Sequence, residues 1–451
     1  MPAAARATSR GTCNWKPDLP PQPVGTWNAL IDTVLGMRFT PLHQALGLPA
    51  GPITDELLDV AVREGLAETD GIDWKRQTPE VKGLPQSDFP KDVAAMANSG
   101  GGVIVFGIDE DQKLAIGRLD IGELNEEQYE RALRSAAVTG IHPPIFGLQV
   151  SFVGEPGRRA LVVVVPASED GPHLIYRNEY FGAPVRNDAD TVWMRERQIE
   201  QMYRARFEAR RQLTEDLNVL YDETTSGKPI HERAWFIAVA HPRIPVQARE
   251  RMDREEARTI YNHAYRLAPG YASTRVHHPI QMIDYQNPRP GLRRWVARDA
   301  AETDASRWKS AWATVHFDGA LTIAAAIGAG RNRDGFDEAY RIDSARCEST
   351  IADFMALLRA TGNALGVGEY EVKVGIEWSG EQDLIIQTVD ELNFVWEHGS
   401  IPLPRFVPVV STVRNDVDHA TFITQCRELA LDVVNQGGVQ DLRAIVGAEV
   451  E

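Results

Sequence analysis

Glu68-Thr69-Asp70-Gly71-Ile72-Asp73-Trp74-Lys75 is the stretch on which the reading of this chain turns. It places acids and a lysine at a fixed short spacing, where a loop enters an apolar segment. That makes one wall of a polar site. Downstream come Ala97-Asn98-Ser99-Gly100-Gly101-Gly102, the apolar run Val103 to Phe106, and Gly107-Ile108-Asp109-Glu110-Asp111, which supply a second wall. Between the walls, Phe89 to Asn98 carries Val93, Met96 and Ala97 at helical spacing. The order is therefore strand (Ile72 to Lys75), helix, strand (Val103 to Ile108).

Outward from this core, Trp27 to Leu35 and Thr54 to Glu64 read as short helices. The second has Thr54 as N-cap, Asp55 and Glu56 in its first turn, and Gly65 as its stop. Asn125 to Ala137 is a third helix, capped by Asn125. Gly147 to Val153 and Arg159 to Pro166 read as strands, and the apolar run Leu161 to Val165 suits one buried on both faces. Ala183 to Met194 is extended, contains Arg186, and leads into a helix rich in arginine. Residues 1–25 read as a disordered lead, 26–67 as a helical N-terminal segment and 68–211 as one α/β unit with a mixed sheet. Residues 212–230 read as a linker, because Asp222-Glu223-Thr224-Thr225-Ser226-Gly227-Lys228-Pro229 has a linker's composition.

Residues 231–451 read as a C-terminal α/β domain. The expected elements are a strand at Ala234 to Ala240 and a helix near Asp253 to Leu267. A hairpin follows, turning at Asp318-Gly319 between Ala311 to Phe317 and Leu321 to Ile327. A helix from Ser349 repeats Ile351, Phe354, Met355 and Leu358 on one face, and another aligns Phe422, Cys426, Leu429 and Val433. Nothing in this half rises above a core explanation.

With 451 residues, 43% hydrophobic and 25% charged, the chain is an ordinary globular protein of two or three domains. The longest weakly polar stretch, Gly319 to Gly330, is too short for a bilayer, so no membrane partner is expected. The N-terminus has no apolar signal core. Cys13, Cys347 and Cys426 are too few and too scattered for a disulfide framework or a zinc knuckle, which suits a reducing cytoplasm. A net charge of −16 opposes bulk electrostatic coating of nucleic acid. Any such contact needs a local basic face. Between Arg195 and Arg211, the arginines 195, 197, 204, 206, 210 and 211 outnumber Glu196, Glu200 and Glu208 on one helix; a solvated helix with internal ion pairs is the alternative.

Glu68 and Asp73 can reach one point if the chain turns at Gly71. Gathered carboxylates either hold a hard cation such as magnesium or manganese, or remain solvated surface charges. The three glycines allow close backbone approach. However, no G-x-x-x-x-G-K-[ST] is present, and helix, glycines, strand reverses the order a phosphate loop needs, so ATP is not expected as a cofactor. His277 and His278 are neighbours on extended chain and point apart. His231-Glu232 lacks the second histidine of a zinc protease, and there is no G-x-S-x-G.

Taken together, Glu68 to Lys75, Ala94 to Gly102, Gly107-Ile108-Asp109-Glu110 and Val185-Arg186 resemble the Schlafen-type AlbA domain in order and spacing. The resemblance covers about residues 54–211. It implies nucleic-acid binding and, in the vertebrate Schlafen branch, a metal-dependent endoribonuclease that acts on transfer and ribosomal RNA through three acids. By position these fall on Glu68, Asp73 and Glu110, with Mg2+ or Mn2+ as the implied cofactor. Asp73 is shorter than the usual glutamate, and Glu110 stands where aspartate is customary. Asp109 is therefore the alternative third acid, and an inactive site the other possibility. A displaced carboxylate matters because magnesium bonds are held near about 2.0–2.1 Å.

Lys75 and Arg186 would then be phosphate contacts, with ordinary ion pairing as their alternative. Arg195, Arg197, Arg204 and Arg206 would supply the basic face to RNA or DNA. The expectation is an α/β, or α+β, nucleic-acid-binding protein with a Schlafen-like carboxylate site. Three alternatives stay open: a metal-dependent endonuclease, a non-catalytic DNA-binding regulator, and a protein-interaction scaffold. A homo-oligomer also stays open.

Overall fold

The computed structural model describes residues 40–49, 51–177, 180–244, 246, 251–299, 310–329, 331–332, 335–336, 338–389, 395–396, 399–445 and 447. The expected helix Trp27 to Leu35 lies outside them, as does the lead. Near the start come α1 (Pro41–Ala45) and α2 (Asp55–Arg63); the Thr54 hydroxyl accepts from the Leu57 amide at 3.3 Å and caps α2 as its sequence predicts. Gly65 follows at φ +59, a conformation that ends a helix at little cost to glycine.

The first sheet runs β1 (Ile72–Lys75), β2 (Gly102–Phe106), β7 (Ala160–Val165), β6 (Gln149–Val153), with β1 and β2 parallel and the other pairs antiparallel. The parallel crossover from β1 to β2 is α3 (Phe89–Asn98). Alternation sorts this sheet's residues between two cores. Ile104, Phe106, Leu161, Val163 and Val165 pack with α3 and α4 (Glu126–Thr139). Ile72, Trp74, Val103, Val105 and Val162 pack with α1 and α2. Cover on both faces explains why β2 and β7 read as unbroken apolar runs.

The expected strand Val103 to Ile108 is broken at Gly107, whose φ is +94 and where a Cβ would sit 2.9 Å from the Arg159 carbonyl. Beyond the break the chain turns into the hairpin β3 (Ile108–Asp111) and β4 (Leu114–Arg118). A small sheet of β5 (Ile141–His142), β8 (Leu174–Arg177) and β9 (Tyr180–Gly182) follows, and then the hairpin β10 (Pro184–Asn187) and β11 (Asp190–Trp193).

Helix α5 (Glu196–Thr225) is 30 residues long and runs through most of the segment whose composition reads as a linker. The polar residues do not stop it, because the Thr224 and Thr225 hydroxyls bond back to the Leu220 and Tyr221 carbonyls at 2.7 and 2.9 Å. Its far end buries Leu217, Leu220 and Tyr221 against the second sheet.

That second sheet is antiparallel, in the order β13 (Arg289–Gly291), β14 (Arg294–Arg298), β15 (Ala311–His316), β16 (Leu321–Ala326), β12 (Trp235–Pro242), β20 (Glu369–Glu377), β23 (Val409–Arg414). Between β16 and β20 lie the short strands β17 (Arg331–Asn332), β18 (Gly335–Phe336) and β19 (Arg341–Asp343). Strand β19 pairs with β21 (Ile385–Val389), which pairs in turn with β22 (Val395–Trp396). Helix α5 covers one face of the seven-stranded sheet. The other is covered by α6 (Arg254–Leu267), α7 (Ser344–Leu365) and α8 (His419–Val434), so the architecture is mixed α and β in both halves. Helix α7 begins five residues before the expected Ser349, capped by Asp343. The part of the helix ahead of Ser349 carries Glu348, which accepts from the amides of Arg443, Ala444 and Ile445 at 2.9, 2.6 and 3.1 Å. Among the described residues no helix is long and apolar enough to cross a membrane.

Candidate functional site

The Glu68 to Lys75 segment folds as a tight turn into β1. Thr69 and Ile72 pair across the turn, and the Thr69 hydroxyl accepts from the Gly71 amide at 3.2 Å. Strand alternation then sends Ile72 and Trp74 to one face and Asp73 and Lys75 to the other. The second face looks toward α3, where Asp92 stands. Lys75 Nζ lies 2.8 Å from Asp73 Oδ2 and 3.6 Å from Asp92 Oδ2. Burial works against the Lys75 ammonium, but Asp73 and Asp92 outweigh it and raise its pKa. Asp92 is itself raised, chiefly by burial.

Arg186 reaches the other oxygen of Asp73. The Ala97-Asn98-Ser99 run explains how it gets there. Asn98 Nδ2 donates to the His173 and Pro184 carbonyls at 3.0 and 2.8 Å, and the Ser99 hydroxyl accepts from the Arg186 amide at 2.9 Å. These bonds clamp β10 onto the end of α3. From there the Arg186 guanidinium donates to Asp73 Oδ1 at 3.2 Å and to the Thr69 carbonyl at 3.1 Å. The two side chains are 3% and 2% exposed, so this is a buried pair.

The remaining acids divide where the β3–β4 register shifts, between Asp109 and Glu110. Asp109 turns to Arg76, at 2.7 Å. Glu110 turns to the Glu68 side, and its Oε2 is buried with no hydrogen-bond partner. Glu68 Oε1 accepts from the Trp74 amide at 3.0 Å. Burial, with Asp73 and Glu110 adding like charge, pushes the Glu68 carboxyl up to about 7. Glu68, Asp73 and Glu110 are thus electrostatic neighbours, whereas Asp109 is held apart.

Asp73 already faces a cation at each oxygen, and among the described residues no group of three or more His, Cys, Asp or Glu is placed to hold an ion. The glycine run has a packing role too. A Cβ at Gly101 would lie 2.6 Å from the Ala167 amide, and one at Gly102 would lie 2.2 Å from the Met96 sulfur. Close approach of α3, β2 and the chain after β7 requires these glycines.

On α5 the arginines behave in three ways. Arg204 and Arg211 pair with Glu200 and Glu208 along the helix, at 2.5 and 2.7 Å. Arg206 and Arg210 turn to Asp170, at 3.7 and 2.8 Å, which Arg243 of the second half also reaches at 3.1 Å. Burial pushes the Asp170 carboxyl up, but hydrogen bonds from Arg243 and Arg210 outweigh it and hold its pKa low. Arg195 and Arg197 are exposed, and among the described residues neither has an ion-pair partner.

His278 is buried against Asp353 at 2.7 Å, and Cys426 is buried, as their sequence contexts predict. Asp92 and Asp170 escape a reading by motif. Asp92 left a trace, since Phe89, Asp92, Val93 and Met96 form one helical stripe and an acid on an apolar stripe signals a buried partner. Asp170 left none.

Residues 68–200 match the family model described as Schlafen, AlbA_2. The N-terminal domain of an ATP-dependent DNA helicase RecG-related protein from Nitrosomonas europaea is 20% identical, over 31% of this chain and 90% of its own, with a TM-score of 0.23. The DIP2311 protein from Corynebacterium diphtheriae is 15% identical, over 47% of this chain and 37% of its own, with a TM-score of 0.22. No curated protein matches the chain.

Proposed function

We propose, from the premise that residues 68–200 form a Schlafen-type AlbA_2 domain, that this protein binds nucleic acid without a resident metal. The observation that carries the choice of binding over cleavage is the buried Arg186–Asp73 pair, completed by Lys75. Two cations occupy the carboxylate that a metal would need most. Arg195 and Arg197 are the proposed phosphate contacts, because their guanidinium groups are exposed and no acid among the described residues pairs with them. Arg204 can contribute by leaving Glu200, at small cost for a surface pair. The proposed setting is the cytoplasm, supported by the free, buried thiols of Cys347 and Cys426.

The test is a titration of labelled single-stranded and duplex RNA and DNA with the full chain, across about 50 to about 200 mM salt. Affinity is expected to fall steeply as salt rises. Absence of binding at the lowest salt overturns the reading.

A divalent-metal-dependent endoribonuclease is the second reading. One observation favours it: the buried, unpartnered Glu110 Oε2 beside a Glu68 of near-neutral pKa. RNA cleavage that needs manganese, stops with chelator and is lost in Glu68→Ala would establish it over simple binding.

A further inference from the structure

Where the two halves of the chain meet they leave a cavity of about 360 Å3. The loop after β5 gives Phe146 to one wall, and the turn after β7 gives Glu169 and Asp170. The other wall comes from the second half, with Arg243 and Ile244 after β12, Glu369 on β20, and Arg414 and Asp416 at the end of β23. Two contacts tie the walls together. The Arg243 guanidinium donates to Asp170 at 3.1 Å and to Glu369 at 2.9 Å, and Arg414 stands 4.6 Å from the centre of the Phe146 ring. Small ligands bind preferentially at such junctions, in cavities of about 300–1,000 Å3.

Charge narrows the ligand. Glu169, Asp170, Glu369 and Asp416 line the cavity, against the two guanidinium groups of Arg243 and Arg414. Both guanidinium groups are committed, Arg243 as above and Arg414 to the two oxygens of Asp416 at 3.1 and 3.3 Å. Glu169 is not: among the described residues its carboxylate has no hydrogen bond or ion pair. Burial raises its pKa, with Arg243 opposing. Helix α7 also ends here, with Gly366 as its C-cap and part of the lining, and a helix C-terminus adds partial negative charge. The surplus is negative, which favours a cation and disfavours an anion. Phe146 and Ile244, one from each half, are 49% and 44% exposed, apolar surface that a bare inorganic ion would leave unused.

We propose that this cavity binds a small organic cation, an ammonium or guanidinium group on a short apolar body, with Glu169 as its counter-ion and Phe146 and Ile244 against the apolar part. The proposal is independent of the nucleic-acid reading. It uses the one lining carboxylate that no arginine holds and leaves the contacts between the halves in place.

The experiment is calorimetric titration of the full chain with phenethylamine and agmatine, and with phenethyl alcohol and phenylacetate as the neutral and anionic counterparts of the first. Wild type, Glu169→Gln, Ile244→Ala and Glu155→Gln are compared, the last removing an exposed acid far from the cavity lining. At least one of the two amines is expected to saturate at one site per chain, about tenfold tighter than the alcohol or the acid. Glu169→Gln should weaken that amine about tenfold and Ile244→Ala about threefold, while Glu155→Gln binds as wild type. Glu169 is partly exposed and holds no partner, so Glu169→Gln should unfold at the wild-type temperature and exclude misfolding as the cause. Absence of saturable binding by both amines up to about 10 mM overturns the proposal. So does an amine bound equally well by wild type and Glu169→Gln, or a preference for the alcohol or for phenylacetate.

Discussion

Two groups of charge in the first half of this protein look alike in sequence and differ in the structure. The Glu68, Asp73, Lys75 and Arg186 group is closed on itself: its cations are held by acids and by the Thr69 carbonyl, with Asp73 and Arg186 buried and Lys75 partly exposed. The face of Trp193, Arg195 and Arg197 is open, with guanidinium groups that no acid among the described residues holds. The difference shows that charge identity does not assign a role. Burial and prior commitment do, because a buried pair resists separation whereas an exposed cation exchanges its counterion readily.

The sharpest way to break this comparison is to remove one partner on the closed side. Asp73→Ala leaves the Arg186 and Lys75 charges beside an apolar core, and should cost about 3–5 kcal/mol in denaturant unfolding. A loss below about 1 kcal/mol would mean the pair is not buried as described. On the open side, Arg195→Ala with Arg197→Ala should leave stability within about 0.5 kcal/mol, as for other exposed positions.

Glu68 offers a pH test of intermediate size. Its folded pKa, about 7, lies above the ordinary glutamate value of 4.5. The folded state therefore holds the proton more tightly, so the stability this gives is complete below about pH 4.5 and is lost as pH rises through about 7. Discounted for partial exposure, Glu68→Gln should recover on the order of 1–2 kcal/mol at pH 8 relative to wild type, and little at pH 4. A pH-independent difference between the two proteins would remove the account of Glu68. The smallest effect is expected at Arg204→Ala, which breaks only an exposed pair one helical turn apart and should shift stability by less than about 0.5 kcal/mol.

Much of the first half was legible because its signals are local. The Thr54 cap, the strand Ile72 to Lys75 and the helix Phe89 to Asn98 follow from capping chemistry and periodicity within a few residues. The break at Gly107 was not legible, since its cause is the carbonyl of Arg159, far along the chain. Composition at 222–229 suggested a linker, but threonine hydroxyls can bond within a helix, and Leu217, Leu220 and Tyr221 had a sheet to cover. Helix α7 hid its start because polar residues are buried there, among them Arg346, bonded to the Ile327 and Ala326 carbonyls, and Glu348, bonded to three distant amides. At the site, sequence order grouped the acids and Arg186 together. Only the Asn98 and Ser99 clamp shows Arg186 to be a partner of Asp73, a contact between residues 113 apart.

The most direct test of the account is the salt dependence of single-strand binding by wild type, the Arg195→Ala/Arg197→Ala protein and Glu68→Ala. The account predicts that the double substitution weakens binding and lowers the slope of log affinity against log salt by about 1.4, two phosphate contacts' worth, while Glu68→Ala binds as wild type. Loss of binding in Glu68→Ala, with the double substitution unchanged, would contradict it and return the function to the acids.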